Sequence, residues 1–558
     1  MMNKKKLLYV GLLSTAVLAF AACGGDKKAD TAASSGGKEA TGDVEQVFNV
    51  NVQAEMPTAD LSLNTDVIGA VALNNVYEGL YRINADQKPE PAGAAEMAEI
   101  SEDGLTYKIK LREDAKWSDG EPVTAKDYVF GWQRTVDPAT ASEYAYIYEP
   151  VKNAAEITAG EKDVKELGIK AVSDYELEIT LEKATPYFDY LLAFSNLFPQ
   201  REDIEEKYGK EYATTSEKAV YNGPFVLAEF DGPGTDTEWA YLKNDEYWDN
   251  ETVQLDRINV SVVKEAATSL NLFESGDAED IVLSGELAQQ YADDPQLVIE
   301  KKATTRYIEL NQREDDSVFK NENLRKAISY AIDRDALANQ ILVDGSVTTN
   351  GIVPADMMQS PKDGTDFAKD AGTTLETDAA KAKEYWEKAQ KELGKDKLTV
   401  NLLSSDDDRT KKITEVVKGN LEEALPGLTV ELSPVPFSVR LDRSNSGDFD
   451  MVYAGWSADY PDASSFLDLF ATGNSYNRGQ YSNTEYDKNL KDASTANVSD
   501  PEKRWENMLN AEKILAEDSG VIPIIQEAEA HFRSEKVQGV VVHPTGAMYD
   551  YKWASKTE

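Results

Sequence analysis

Over most of the chain, short runs that alternate apolar and polar residues take turns with longer stretches in which apolar residues recur every three or four positions. The first pattern predicts strands over residues 47–52, 105–111, 176–181, 225–230, 258–263, 398–403 and 428–432, and the apolar run 521–525 reads as a buried strand. The second predicts helices over 70–80, closed by Gly79, and over 124–134, capped by Thr124 and stopped by Pro138. Further helices are predicted over 321–343, with Leu324, Ala327, Ile328, Ala331 and Ile332 on one face, and from Thr377 to about Gly394. Two more follow over 411–425, ended by Pro426-Gly427, and over 501–516. Strands interleaved with helices predict an α/β protein, and the pattern fits two α/β lobes joined by strands with a cleft between them. The pattern leaves the lobe boundaries open.

The first residues follow another rule. Lys4, Lys5 and Lys6 precede residues 7–20, which are apolar apart from Tyr9, Ser14 and Thr15. Ala21 and Ala22 then lead to Cys23, the only cysteine. This order predicts a signal peptide over 1–22. A lone cysteine in an exported chain has no internal disulfide partner. Its position resembles a bacterial lipoprotein box, with Phe20 where such boxes usually carry an aliphatic residue, and the resemblance implies lipidation at Cys23. Polar and small residues then fill the chain to residue 42, so 23–43 is expected to be a lipidated cysteine and a flexible tether.

Composition narrows the chemistry. The 558 residues suffice for two or three lobes with cores of their own. No internal apolar run approaches the roughly 20 residues of a spanning helix, so a soluble body is expected. With 101 acidic against 58 basic residues the formal charge is −43, which argues against nucleic acid or anionic lipid headgroups as partners. The two histidines, His531 and His543, and one cysteine supply neither a Cys/His metal cluster nor a Cys-His nucleophile pair. There is no G-x-S-x-G elbow and no phosphate-binding glycine pattern. A carboxylate-pair glycosidase survives composition, but no spacing singles out a pair. No enzyme, cofactor or metal is expected.

The segment from Asp450 to Asp462 runs from a short apolar strand through Tyr453, Gly455, Trp456, Ser457 and Ala458 to Asp459 and Tyr460. Such a strand end places one carboxylate beside an aromatic wall at a cleft edge. Equally, Asp459 could be a loop residue capping a helix over 463–470. Other segments stand out with it: Trp117 to Arg134, Asn222-Gly223-Pro224-Phe225, Asn244 to Asp249, Val76 to Leu80, Ala331 to Arg334 and Tyr385-Trp386. Together and in this order they resemble the oligopeptide-binding branch of the solute-binding proteins of ABC importers, over nearly the whole chain after the tether.

The resemblance implies a two-lobed periplasmic-binding-protein-like α/β fold, type II, of the large peptide-binding class, with an extra domain inserted in the first lobe. The divisions would be 44–79, 217–311 and 528–558 for the first lobe, 80–216 for the inserted domain, and 312–527 for the second lobe. An extended peptide would lie between the lobes and pair its main chain with strands, while pockets accept its side chains. Asp459 would hold its free α-amino group, Gly455, Ser457 and Val67 would offer backbone contacts, and Trp456, Ala458 and Tyr453 would belong to the same site. Thr410 and Tyr453 stand where some members hold the peptide carboxylate with a histidine and an arginine, which leaves Arg409 or Arg443 as candidates. At another acidic position of the amino end stands Thr65, with Asp66 beside it. The implied partners are an oligopeptide, the importer's permease subunits and a bilayer reached through Cys23, for a monomer outside the cytoplasm. A receptor for one signalling peptide is the alternative, a nickel or haem receptor of the same fold a lesser one, and an adhesin a reading from another class.

Overall fold

The computed structural model describes residues 44–558. The expected signal peptide and the lipidation at Cys23 lie outside the described residues.

One eleven-stranded sheet runs through the body. At one end Val47–Val52 pairs in parallel with Arg257–Val262, which continues antiparallel through Glu238–Lys243 to Phe225–Ala228. At the other end Leu398–Ser405 lies parallel to Leu428–Val435 and, over two residues, to Met451–Ser457. Two long antiparallel strands join the ends: Leu297–Leu310 and Val521–Arg533. The second pairs through Ala530–Arg533 with Asp280–Leu283 of the first half, and the first pairs through Thr304–Leu310 with Met451–Ser457 of the second. Their mutual register slips between Lys301 and Thr305. A bulge of this kind bends and twists the ladder, and here it lies where the sheet passes from one half to the other.

A second core, closed around Leu324, Ile328, Trp386, Leu402, Val417 and Ile524, belongs wholly to residues 308–525. Residues 99–180 add a separate four-stranded sheet, with Glu99–Ile100, Thr106–Lys110, Glu176–Thr180 and Ile169–Ser173 in that order. Among the described residues no helix is long and apolar enough to cross a membrane.

The elements depart from the sequence pattern where polar side chains intervene. The strand expected over 521–525 extends to Arg533. The helix expected over 321–343 is broken into Glu322–Ala331, a short turn Arg334–Ala336 and a π-helical turn Leu337–Leu342. Asp333 causes the break: its carboxylate accepts from the Ala336 N–H at 3.0 Å and starts a new turn inside the apolar periodicity. Asp378 rather than Thr377 caps the next helix, accepting from the N–H groups of Ala380 and Lys381, while the Thr377 hydroxyl donates to the Ile332 carbonyl. The helix expected over 70–80 starts at Val67 because Asp66 caps it, and it ends at Val76, ahead of Gly79.

Several of the segments singled out in the sequence prove to be scaffold. Asn222 bonds both backbone groups of Glu78 at 3.0 Å, and the Tyr247 hydroxyl and Trp248 indole donate to the Glu78 carboxylate. Glu78 and Asp550 in turn hold the buried Arg82. Gly223 threads this knot without a side chain: a Cβ there would lie 2.6 Å from the Tyr77 nitrogen and the Val76 carbonyl carbon. Backbone cannot yield as a side-chain tip can. Gly223→Ala is therefore expected to lower stability by about 1–3 kcal/mol, read as an earlier midpoint in urea unfolding.

Candidate functional site

Two adjoining cavities lie along the strand Met451–Ser457. Tyr453 and Ala454 line the larger, together with Val50, Trp239, Arg409 and Tyr549. Gly455, Trp456 and Ser457 line the smaller, together with Asp66, Tyr144 and Asp459. Val67, Arg306, Phe437 and Arg440 border both, so the two form one cleft.

The strand offers the cleft an open edge. On one side Met451–Ser457 is paired along its full length, but on the other only Met451 and Val452 find partners, in Leu402 and Leu403. From Tyr453 to Ser457 that edge has no strand beside it among the described residues. Backbone groups that alternate along an unpaired edge are what an added strand binds.

Just past the strand, Asp459 turns its carboxylate to the cleft. Oδ1 accepts from the Tyr144 hydroxyl at 3.0 Å, while Oδ2 is shut off from solvent with no partner. Burial pushes the carboxyl up to about 8, against the hydrogen bonds of Tyr144 and Tyr146. The capping role open to Asp459 on sequence grounds goes to Asp462, which accepts from the Ser464 N–H and pairs with Arg504 through two bonds of 2.7 Å. The helix expected over 463–470 is a short one, Ser464–Leu467, followed by a 3₁₀ turn.

An aromatic wall backs the aspartate. Trp456 stacks on Tyr144 at 6.0 Å and meets Tyr476 edge-on at 4.7 Å, and its indole N–H is buried without a partner. Tyr144 comes from the turn Glu143–Tyr148 and Trp456 from the strand Met451–Ser457, so their contact closes the cleft at this end. A second stack does the same, Tyr187 on Tyr460 at 4.1 Å.

The other expected site residues divide. Gly455 lies under Arg306, whose Cδ would be 2.6 Å from a Cβ at that position. Ser457 bonds Thr304 at 2.8 Å, and the Tyr453 hydroxyl is buried without a partner. Val67 begins a helix at the junction of the cavities. Ala458 is different: its side chain is fully buried and both its backbone groups are taken, by Ala303 and Gly546. It spaces Asp459 from the strand and has nothing to give a ligand. Thr65 and Asp66 line the smaller cavity, where Asp66 spends its carboxylate on Gly69 and Asn64.

Neither arginine named for a peptide carboxylate is free to hold one. Arg409 is locked between Asp344 at 2.9 Å and Glu527 at 2.5 Å. Arg443 pairs with Asp448 away from both cavities. Sequence reading missed Tyr144, Arg306 and Arg440. It also missed that His531 faces the larger cavity, bonded to Asp280 at 2.7 Å and to the Tyr549 hydroxyl. Burial alone would lower this imidazole, but Asp280 and Glu300 hold it up, at about 9.

The model of the bacterial extracellular solute-binding proteins, family 5, matches residues 88–478. A dipeptide-binding protein of Lactococcus lactis subsp. cremoris (strain MG1363) is 37% identical over 520 residues, 90% of this chain and 94% of the relative. Among solved structures, OppA of Listeria monocytogenes bound to peptide is 42% identical with a TM-score of 0.89, over 92% of this chain and 99% of that one. The pheromone receptor PrgZ, solved for its mode of peptide binding, is 39% identical with a TM-score of 0.88, over 92% and 100% of the two chains. The architecture is accordingly that of the two-lobed OppA-type proteins. The chain belongs to family 5 of the bacterial extracellular solute-binding proteins.

Proposed function

We propose that this protein captures peptides in extended form between its lobes and hands them to a membrane ABC importer. The observation that carries this reading is the Asp459 carboxylate: buried, half unpartnered and placed just past the end of an unpaired strand edge. A peptide's α-ammonium brings three donors and the opposite charge to such a group, and the pairing offsets the cost of burying both. The edge from Tyr453 to Ser457 then takes the peptide main chain without reading its sequence, and the larger cavity has room for varied side chains. The names of the relatives agree, one a dipeptide-binding protein and one solved with peptide bound.

The remaining features fit delivery at a membrane. A lipid on Cys23 and a tether to residue 43 would keep a monomeric body at the outer face of the cell membrane, since each buried CH₂ contributes about 0.8 kcal/mol to anchoring. We assign no catalytic step. Among the described residues no group of three or more His, Cys, Asp or Glu is arranged to hold a metal ion, which favours a peptide over nickel.

The test is native mass spectrometry of residues 44–558, before and after mild unfolding, followed by titration with mixed peptides. A spread of added masses that sequence as short peptides is the expected result. One dominant peptide would instead favour a dedicated signal receptor, as the likeness to PrgZ allows. If no peptide with a free amino group bound even on titration, the reading would be wrong.

A further inference from the structure

Most buried arginines of this protein are visibly spent. Arg82, Arg409 and Arg504 each hold carboxylates. Arg325 and Arg334 donate to backbone carbonyls, and Arg478 to Asn445. Arg440 is 6% exposed, yet its Nε has no partner, and its guanidinium makes no hydrogen bond or ion pair among the described residues. It projects from the helix Phe437–Ser446, 4.9 Å from the Phe437 ring, into the junction of the two cavities. Burial first, then the neighbouring Arg478 and Arg306, push it down to about 9. Asp66 acts on it only at a distance and is already committed to Gly69 and Asn64.

A buried charge without a counterion is costly, and a planar fork of donors facing a cavity suits a carboxylate bound through two parallel hydrogen bonds. The smaller cavity has the matching polarity: Asp459 on its wall, Arg440 where it opens into the larger one. Its floor is Gly455 to Ser457, three strand residues, or roughly 10 Å at about 3.3 Å each. That is the length of a very short peptide.

We propose that Arg440 binds the C-terminal carboxylate of peptides of about two or three residues whose amino group sits on Asp459, and that longer peptides run past it into the larger cavity. This rests on the peptide reading above and assigns its missing end: the positions that hold the carboxylate in some members of the family carry Thr410 and Tyr453 here, and the two arginines nearest in sequence terms are engaged elsewhere.

The test is calorimetric titration of wild type and Arg440→Gln with trialanine, its C-terminal amide, and hexaalanine with its amide. In wild type, amidation should cost trialanine roughly 30-fold or more in affinity, the lower end for removing one partner of a buried charged pair. In Arg440→Gln the same amidation should cost less than about threefold, because the cation that distinguished the two ligands is gone. Hexaalanine should respond weakly to amidation in both proteins. Should the variant bind nothing, the wild-type titrations decide alone, through the contrast between the two lengths. Amidation that costs both proteins equally, or costs wild type nothing, overturns the assignment while leaving the peptide reading standing. Failure of every free-amino peptide to bind wild type overturns both.

Discussion

Replacing Asp459 by asparagine is expected to weaken the binding of free-amino peptides by about 2–5 kcal/mol, roughly 30- to 5000-fold, the range for truncating one side of a buried charged pair. Calorimetric titration measures it directly. An N-acetylated peptide should bind wild type poorly and the variant no worse, because the ammonium is already missing. The effect should also carry a pH signature. In the ligand-free protein the Asp459 carboxyl holds its proton up to about 8, since burial disfavours the charged form. Pairing with an ammonium requires the carboxylate, so at pH 6 binding must expel that proton. Affinity should therefore rise with pH by up to about tenfold per unit from pH 5 toward 8, and level off as the peptide amine, near pH 8 itself, begins to lose its proton. Asp459→Asn should flatten this slope and abolish the proton release, which titrations in buffers of different ionisation enthalpy detect. Equal slopes in the two proteins would rule out the amino anchor.

The same linkage bears on stability. A carboxyl raised from its ordinary 3.8 to about 8 is bound more tightly by a proton in the folded chain than in the unfolded one. The stability this lends is present below about pH 4 and drains away as pH rises to 8. Ligand-free wild type should thus lose melting temperature across that window relative to the variant, and a free-amino peptide should restore it.

How far the sequence revealed all this depended on what each segment buries. The strands Val47–Val52 and Leu428–Val435 and the helix Ala125–Val136 each set one apolar face against a core, so their period showed. The strand Leu297–Leu310 is central to the fold and was not foreseen. It carries Glu300, Lys301, Lys302, Thr304, Thr305 and Arg306 in its middle, where an apolar alternation would be sought. Of these, Lys302 and Arg306 line the cleft, and their charges are met by side chains more than two hundred positions away: Lys302 by Glu529 at 2.6 Å, Arg306 by Glu527 at 2.7 Å. Local pattern fails where a strand serves a site rather than a core.

The site was legible in the same uneven way. Asp459, Trp456 and Tyr453 lie in one compact segment, and the structure brings all three to the cleft. Arg440 sits in a helix whose charged residues look like an ordinary solvated face. Its surroundings come from segments distant in sequence, with Arg306, Arg478, Asp66 and Val67 meeting at the junction, and no run of residues around Arg440 encodes that.

Arg409 shows what the alternative would look like, and replacing it by methionine should cost about 3–5 kcal/mol of stability. Its guanidinium ties the helix Asp408–Ala424 to Glu527 on the strand Val521–Arg533 and to Asp344 and Ser346 in the loop beside it. Asp344 is 1% exposed and Glu527 3%, so without Arg409 two carboxylates remain buried, one with only the Ser346 N–H and the other shared with Arg306 alone. Charges stranded in this way, more than the lost attraction, set the size of the effect. Neutralising Asp344 as well, while Glu527 keeps Arg306, should accordingly recover much of the stability, which no loss of a single favourable contact would allow. Urea unfolding of the single variant Arg409→Met and the double variant with Asp344→Asn measures both. Binding separates the two arginines: a still-folded Arg409→Met protein should keep the penalty that amidation imposes on trialanine, because its cation neutralises the protein's own acids and not the ligand's. Loss of that penalty in Arg409→Met, with unfolding unchanged, would move the carboxylate site from Arg440 to Arg409.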